Sequence, residues 1–150
     1  MARRPFDPAE HGWQHTEYRQ GDILDRDSIA DLVADADVVV HLAFIIFGDH
    51  DEAHRINLEG SRNVFEATAE ADAQRLVYTS SVAAYGFHDD NPGLLDEDIP
   101  ARGSDRFYYS AHKAELESLL AKSLAGSETD AYVLRPCIVA GADAPTLVQV

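Results

Sequence analysis

The sequence predicts an α/β fold built on a parallel sheet wound between helices, and three observations predict it. Residues 37–44 hold a near-continuous apolar run, Val38-Val39-Val40-His41-Leu42-Ala43, of the kind that suits a parallel strand buried on both faces. Two further strand-length stretches follow, over 74–81 and 131–136. Helix-length stretches with apolar residues at helical spacing lie between them, over about 51–70 and 104–125. Alternation of this kind is how a parallel sheet is normally connected.

Bulk properties narrow the function classes. A chain of 150 residues suits one domain with a real core. Its formal net charge of −15 argues against nucleic acid and against anionic membrane surfaces as partners. The single cysteine, Cys137, cannot form an internal disulfide, which fits a cytoplasmic location. The longest apolar run, Val38 to Phe47, is interrupted by His41 and falls short of the roughly 18 residues that span a bilayer. Met1-Ala2-Arg3-Arg4-Pro5 has no apolar segment behind it, so it does not read as a signal peptide.

In chain order, residues 1–14 are polar and turn-rich, with Pro5, Pro8 and Gly12, and predict no regular element. His15 to Gln20 alternates weakly and predicts a short strand ending at Gly21-Asp22-Ile23. Asp25 or Asp27 is placed to cap a helix over about 28–34, with Ile29, Leu32 and Val33 as its apolar face. After the strand at 37–44 the apolar character carries on through Ile45-Ile46-Phe47. The long helix over about 51–70 turns Ile56, Val64, Phe65 and Ala67 inward. Its Gly60 costs about 1 kcal/mol relative to Ala, which close packing of helix on strand would explain. His50 and His54 stand at i and i+4, but not in the His-Glu-x-x-His order of zinc proteases, and no third ligand is in view, so no metal site is predicted.

The strand over 74–81 ends in Thr79-Ser80-Ser81. A long loop over 87–103 holds Asn91-Pro92-Gly93 and a solvated acidic run, Asp96-Glu97-Asp98. Ser104 or Asp105 is placed to start the next helix, which runs to about Ala125 and closes at Gly126, with Leu116, Leu119, Leu120 and Leu124 as its core stripe. The last strand, Ala131 to Pro136, leads into Cys137-Ile138-Val139-Ala140-Gly141, where Cys137 reads as a buried turn thiol.

Within the 104–125 helix, Tyr109 and Lys113 are four residues apart. Positions i and i+4 lie one above the other on one helix face. An ammonium beside a phenol favours the phenolate, and a phenol so poised can give a proton to, or take one from, a hydroxyl or carbonyl.

Together with Thr79-Ser80-Ser81-Val82-Ala83-Ala84-Tyr85-Gly86, this Tyr-x-x-x-Lys resembles the extended short-chain dehydrogenase/reductase family, the NAD(P)-dependent epimerases and dehydratases. The resemblance runs from about Gly21 to Gly141 and includes Gly21-Asp22-Ile23, Val39-Val40-His41-Leu42-Ala43, Asn57-Leu58-Glu59-Gly60-Ser61-Arg62-Asn63, Leu95-x-Glu97-x-x-Pro100 and Leu134-Arg135-Pro136. It implies a partial Rossmann-like doubly wound parallel sheet, strands 3 to 6 with flanking helices, and residues 1–150 as one partial NAD(P)-binding domain. It implies Tyr109 as acid/base, Lys113 as its tuner and ribose ligand, Ser81 as the serine that orients the substrate oxygen, and Asn57 as support for the cofactor or a bound water. NAD or NADP would pass Asp22 and Ile23 at the adenine end, Leu42 and Ala43 along the ribose and pyrophosphate, and Pro136 and Ile138 at the nicotinamide; Ser80 either contacts the cofactor or, with Thr79, satisfies backbone groups at the strand end. Arg3, with Arg4, either contacts a 2′-phosphate or is simply solvated. Asp22 is either an adenine contact or a turn residue. Ala140 stands where relatives carry an aromatic residue. The Ile45-Ile46-Phe47 loop would border a small-molecule substrate, and helices near 51–70 and 104–125 would pair in a homodimer.

The family's opening Gly-x-x-Gly-x-x-Gly turn, which holds pyrophosphate at a helix N-terminus, has no counterpart in this sequence. The chain is therefore expected to be a fragment, inactive alone, with the 15–20 strand displaced or mispaired and the Val38–Leu42 strand left as an apolar edge. The expected activity is hydride transfer by an epimerase, dehydratase or reductase. The alternative is a non-catalytic dinucleotide sensor or scaffold on the same fold.

Overall fold

The computed structural model describes residues 1–46 and 48–139. The elements form where caps and apolar stripes place them. The Asp25 carboxylate accepts the Ser28 N–H at 3.3 Å and starts α1 (Arg26–Val33), whose Ile29 and Val33 are buried. After strand β1 (Val38–His41), the Asp49 carboxylate accepts the Glu52 N–H at 2.9 Å and starts the long α2 (His50–Glu70). Strand β2 (Arg75–Thr79), helix α3 (Tyr108–Ser123) and strand β3 (Asp130–Leu134) follow. The three strands are parallel, in the order β1-β2-β3, with Val40 opposite Val77 and Tyr78 opposite Val133. Such a ladder needs helical crossovers, which α2 and α3 supply.

The helices pack in the row α1–α2–α3 and share one core. Ile29 and Val33 of α1, Val64 and Phe65 of α2, Leu116 and Leu120 of α3, and Leu76 and Tyr78 of β2 meet in it. The strand alternation decides which residues reach that core. Leu76 and Tyr78 point in, while Val38, Val40 and Leu42 are exposed; every residue of β3 is exposed, at the far edge of the sheet. The expectation that 37–44 is buried on both faces is therefore corrected. Among the described residues, every helix in the core lies on one side of the sheet, so the other face of β1 meets solvent; β1 also stands at the end of the strand order, the expected apolar edge.

The strand over 15–20 is displaced from the sheet, as expected, and is reduced to a single bridge. The segment makes one parallel bridge, Gln20 with Ala2, and does not join the sheet beside β1 or elsewhere. A strand persists only where a neighbour pairs its N–H and C=O groups. Here that neighbour is the short stretch around Ala2, through Ala2 N–H to Arg19 O and Gly21 N–H to Ala2 O, both 3.2 Å.

Helix α3 begins at Tyr108, not at Ser104 or Asp105. Ser104 is used in a turn instead, where its carbonyl accepts the Phe107 N–H at 3.0 Å. The helix also ends slightly earlier than expected, at Ser123 with Leu124 as its cap, and Gly126 takes φ +86° in the turn that follows, a left-handed conformation that suits glycine. Cys137 is exposed, not a buried thiol, because the chain leaves β3 along an open edge.

Gly60 is explained by a different neighbour from the strand expected. A Cβ there would stand 2.5 Å from Ile23 Cγ1 and 3.1 Å from its Cβ. The turn after the Ala2–Gln20 bridge thus lies directly on α2, and Asn63 Nδ2 donates to the Ile23 carbonyl at 2.9 Å. Gly60→Ala is expected to destabilise the chain by about 1 kcal/mol, because overpacking at about 2 kcal/mol outweighs a helix-propensity gain of about 1 kcal/mol. Urea unfolding of the two chains checks it, and a more stable alanine variant would refute the close approach.

Candidate active site

Three segments meet at the C-terminal end of β2: the turn after β2, the first turns of α3, and the loop after β1. Ser81 leaves β2 in extended conformation, and its Oγ accepts the Ala83 N–H at 3.1 Å, which caps the short helical turn Val82–Tyr85. That turn is stitched to α3. Ser110 Oγ donates to Ala83 O at 2.5 Å, and Gly103 N–H donates to Ala84 O at 2.9 Å. Ser110 adjoins Tyr109, so the stitch sets Tyr109 beside the Ser81 turn. The cap uses a lone pair of the Ser81 hydroxyl and leaves its hydrogen available to donate.

Lys113 lies one turn further along α3 and is 4% exposed. Its Nζ donates to Thr79 O at 2.8 Å and sits 4.0 Å from the Phe44 ring centroid and 5.8 Å from that of Tyr109. Burial lowers its pKa from 10.5 to about 8, against the opposing pull of Glu117. The same buried surroundings, with the Lys113 charge second, push His41 on β1 down to about 4. His41 is therefore a neutral core residue, sharing a 2.9 Å hydrogen bond with Ser61 and stacked on Tyr78.

Two tyrosines flank Lys113, and burial separates their roles. Tyr78 is fully buried, its hydroxyl has no partner among the described residues, and desolvation raises its pKa well above the usual phenol value. It stays a neutral phenol. Tyr109 is half-buried, edge-on to Phe44 at 5.4 Å and tilted against Phe107 at 5.7 Å. Only Tyr109 is placed to reach a ligand.

Lys113 also has a pH signature. Between about pH 8 and its ordinary value of 10.5, the folded chain has released this proton and the unfolded chain still holds it. The unfolded state binds more protons there, so the Lys113 contribution to stability rises with pH. The chain is expected to gain stability relative to Lys113→Met across that window, measured as the pH dependence of their difference in unfolding free energy. A difference that stays flat would refute the burial of a titrating ammonium.

The remaining sequence-predicted residues fall into two groups. Asn57, on α2, is 1% exposed and gives both ends of its amide to Ile45: Oδ1 accepts Ile45 N–H at 2.8 Å and Nδ2 donates to Ile45 O at 2.9 Å. It pins the loop that carries Phe44, a more specific placement than a general support of the site. Leu42 and Ala43 lead into that loop and are exposed, as are Pro136 and Ile138 beyond β3, where Pro136 O accepts the Val82 N–H at 3.1 Å. Ile23 rests on Gly60, one helical turn from Asn57. Asp22 closes its own turn, Oδ1 accepting Leu24 N–H at 3.0 Å. Arg3 is exposed, and its carbonyl accepts Gln20 Nε2 at 3.1 Å. Gly141, Ala140 and Phe47 lie outside the described residues.

The reading of the Ser80 side chain as satisfying backbone groups at the strand end is corrected: it lies on the core face of β2, and its hydroxyl donates to Glu117 at 2.5 Å. The strand alternation sends Ser80 inward with Leu76 and Tyr78. Glu117 was not singled out in the sequence. It also receives Arg135 in a bidentate pair, Nε at 3.0 Å and Nη2 at 2.7 Å, with the guanidinium 4.5 Å over the Tyr85 ring. The signal was present, because Tyr109, Lys113 and Glu117 form one i, i+4, i+8 stripe. A cleft of about 680 Å³ opens beside this clamp, lined by Val82, Tyr85, Leu95, Leu134, Arg135 and Pro136 among others.

Comparison with known proteins identifies the family. The model of the NAD dependent epimerase/dehydratase family matches residues 1–148. Human 3 beta-hydroxysteroid dehydrogenase type 7 is 35% identical over 107 residues, which cover 67% of this chain and 29% of that protein. The N-acetyl-alpha-D-glucosaminyl-diphospho-ditrans,octacis-undecaprenol 4-epimerase of Escherichia coli O157:H7 is 31% identical over 127 residues, 81% of this chain and 37% of its own. The chain thus spans well under half the length of these curated relatives. Among solved structures, MoeE5 in complex with UDP-glucose and NAD superposes with a TM-score of 0.66 at 27% identity, covering 78% of this chain and 40% of that one. The parallel sheet with its α2 and α3 crossovers is thus of the Rossmann type, and with its family model matched over nearly the whole sequence, the chain belongs to the NAD-dependent epimerase/dehydratase family.

Proposed function

We propose that this chain carries the proton-handling half of an NAD(P)-dependent epimerase, dehydratase or reductase, with Tyr109 as its acid/base. The observation that carries the reading is the buried Lys113 ammonium, fixed to the end of β2 by Thr79 O, one turn from a half-buried Tyr109, with Ser81 two residues past Thr79. A bound nicotinamide dinucleotide would supply or accept the hydride. Tyr109 takes a hydroxyl proton in one direction and returns it in the other, with the Lys113 ammonium one helical turn away. Ser81 donates its remaining hydrogen to the same substrate oxygen. Asn57 holds the Phe44 loop against Lys113 and keeps water from the ammonium.

The residues present fit the nicotinamide and ribose end of such a cofactor. Two of the three Lys113 N–H donors have no protein partner among the described residues, and the exposed Leu42-Ala43, Pro136 and Ile138 backbone lies open at the strand ends. They do not fit the pyrophosphate. Helices α1 and α2 begin on Asp25 and Asp49 with further acidic residues in the first turn, which repel phosphate from the helix ends that would otherwise attract it. The 150 residues alone are therefore proposed to be inactive. The paired α2 and α3 are the surface on which a second copy would dock.

The test is a titration of NADH and NADPH, followed by nicotinamide fluorescence, against this chain and against a form extended upstream in the same reading frame. Binding by the extended form alone is the expected result. Tight binding by the 150 residues would refute the account of the pyrophosphate, and binding by neither would refute the dinucleotide reading.

A further inference from the structure

The chain that follows β1 carries Phe44 and lies outside the sheet, so its backbone groups need partners from elsewhere. Asn57 of α2 takes both the N–H and the C=O of Ile45. The next carbonyl, that of Ile46, accepts the hydroxyl of Tyr108, the first residue of α3, at 2.5 Å. An amide on Ile45 alone would let the chain pivot about that residue. Bonds to two successive residues, from two different helices, fix its direction as well as its place.

The Tyr108 ring is itself held between the helices. It stacks on His50, the first residue of α2, at 4.3 Å, and meets His112, one turn along α3, edge-on at 5.6 Å. Tyr108 and Tyr109 are neighbours on one helix, so their side chains leave it about 100° apart. Tyr108 turns to α2 and the chain after β1, and Tyr109 turns to Phe44 and Phe107. The same turn of α3 thus carries the group that reaches a ligand and the group that anchors Phe44. That ring stands 4.0 Å from Lys113 Nζ and edge-on to Tyr109 at 5.4 Å.

We propose that Tyr108 is a positioning residue of this site: with Asn57, its hydroxyl holds the chain after β1 so that the Phe44 ring covers the Lys113 ammonium. The consequence for catalysis rests on Tyr109 being the acid/base, whereas the covering of Lys113 does not. An ammonium kept from water acts on its neighbours with less screening than one in solvent. The aromatic face against it compensates part of the lost hydration. The hydroxyl alone carries the role, because phenylalanine at 108 would keep the ring contacts with His50 and His112.

The test is the titration of Lys113 in this chain without cofactor or substrate, so failure of the Tyr109 reading can neither produce nor hide the result. The sequence holds two lysines, Lys113 and Lys122. Isotope-labelled lysine therefore gives two NMR signals, and Lys122→Arg assigns them. Lys113 is expected to titrate at about 8 in the parent chain and higher in Tyr108→Phe, towards its ordinary value of 10.5, as water reaches the ammonium. The other titratable groups that face Lys113 are Glu117 and Tyr109 on α3, His41 on β1 and Tyr78 on β2, and all are the same in both chains. In a Phe44→Leu background the covering ring is already gone, and Tyr108→Phe is expected to move the signal by less than about half as much, as coupled residues do. An unchanged Lys113 titration in Tyr108→Phe, whatever its effect on melting temperature, would overturn the proposal. Equal shifts in the two backgrounds would also overturn it, because Tyr108 would then act on Lys113 by a route other than Phe44. Turnover of Tyr109→Phe in the extended form tests the acid/base reading separately.

Discussion

Tyr109→Phe in the extended, cofactor-binding form is expected to lower turnover by about 10²- to 10⁴-fold, the usual contribution of a positioned acid/base, with NADH affinity changed less than about threefold. The substitution removes only the hydroxyl. The ring keeps its contacts with Phe44 and Phe107, and Lys113 keeps its bond to Thr79 O, so the fold has no reason to move. Loss of turnover with retained cofactor affinity separates proton transfer from binding. If affinity and turnover fell together, Tyr109 would be a cofactor ligand without a chemical role. If turnover were unchanged, another group would be moving the proton. Tyr78 is not that group, because it is sealed in the core as a neutral phenol.

Glu117→Ala is expected to be the most destabilising single change at the site. Glu117 is mostly buried and is bonded to Ser80 and, through two nitrogens, to Arg135. Removing it leaves a guanidinium without its counter-charge among the Tyr85 ring and the Ile99 carbonyl, and strands the Ser80 hydroxyl. Breaking one side of such a pair costs about 3 kcal/mol, or a fall of about 9 °C in melting temperature for a chain of this size. Glu117→Gln, which can still bond Ser80 and one Arg135 nitrogen, is expected to lose about half as much. Thermal unfolding of the three chains checks the order. Equal stability of Glu117→Ala and the parent chain would show that the clamp contributes nothing. Because Ser80 adjoins Ser81 and Arg135 adjoins Pro136, loosening the clamp should also broaden NMR signals from the Val82–Tyr85 turn while leaving those of α1 sharp.

Much of this protein was legible as short-range pattern. Asp25 announces α1, Gly126 marks the turn after α3, and the Tyr109–Lys113 spacing puts two chemical groups on one helix face. Each of these depends on residues within about one helical turn, where backbone geometry is fixed by local sterics and hydrogen bonding. The apolar runs likewise marked β1, β2 and β3. What they could not say is which face of each strand a helix would cover. That choice turned Ser80 inward to Glu117 and left Val38, Val40 and Leu42 in water.

The sequence by itself determined the helices, the three sheet strands and the pairing of a phenol with an ammonium, because those are local or periodic properties of the chain. Only the tertiary structure decided that Asn57 grips the Phe44 loop, that Glu117 locks Arg135 and Ser80, and that residues 15–20 form no sheet strand. Those outcomes join residues far apart in sequence, and they follow from which surfaces packing brings close enough to exclude water. Hydrogen bonds and charges acquire their partners, and Lys113 its lowered pKa, only after that burial has happened.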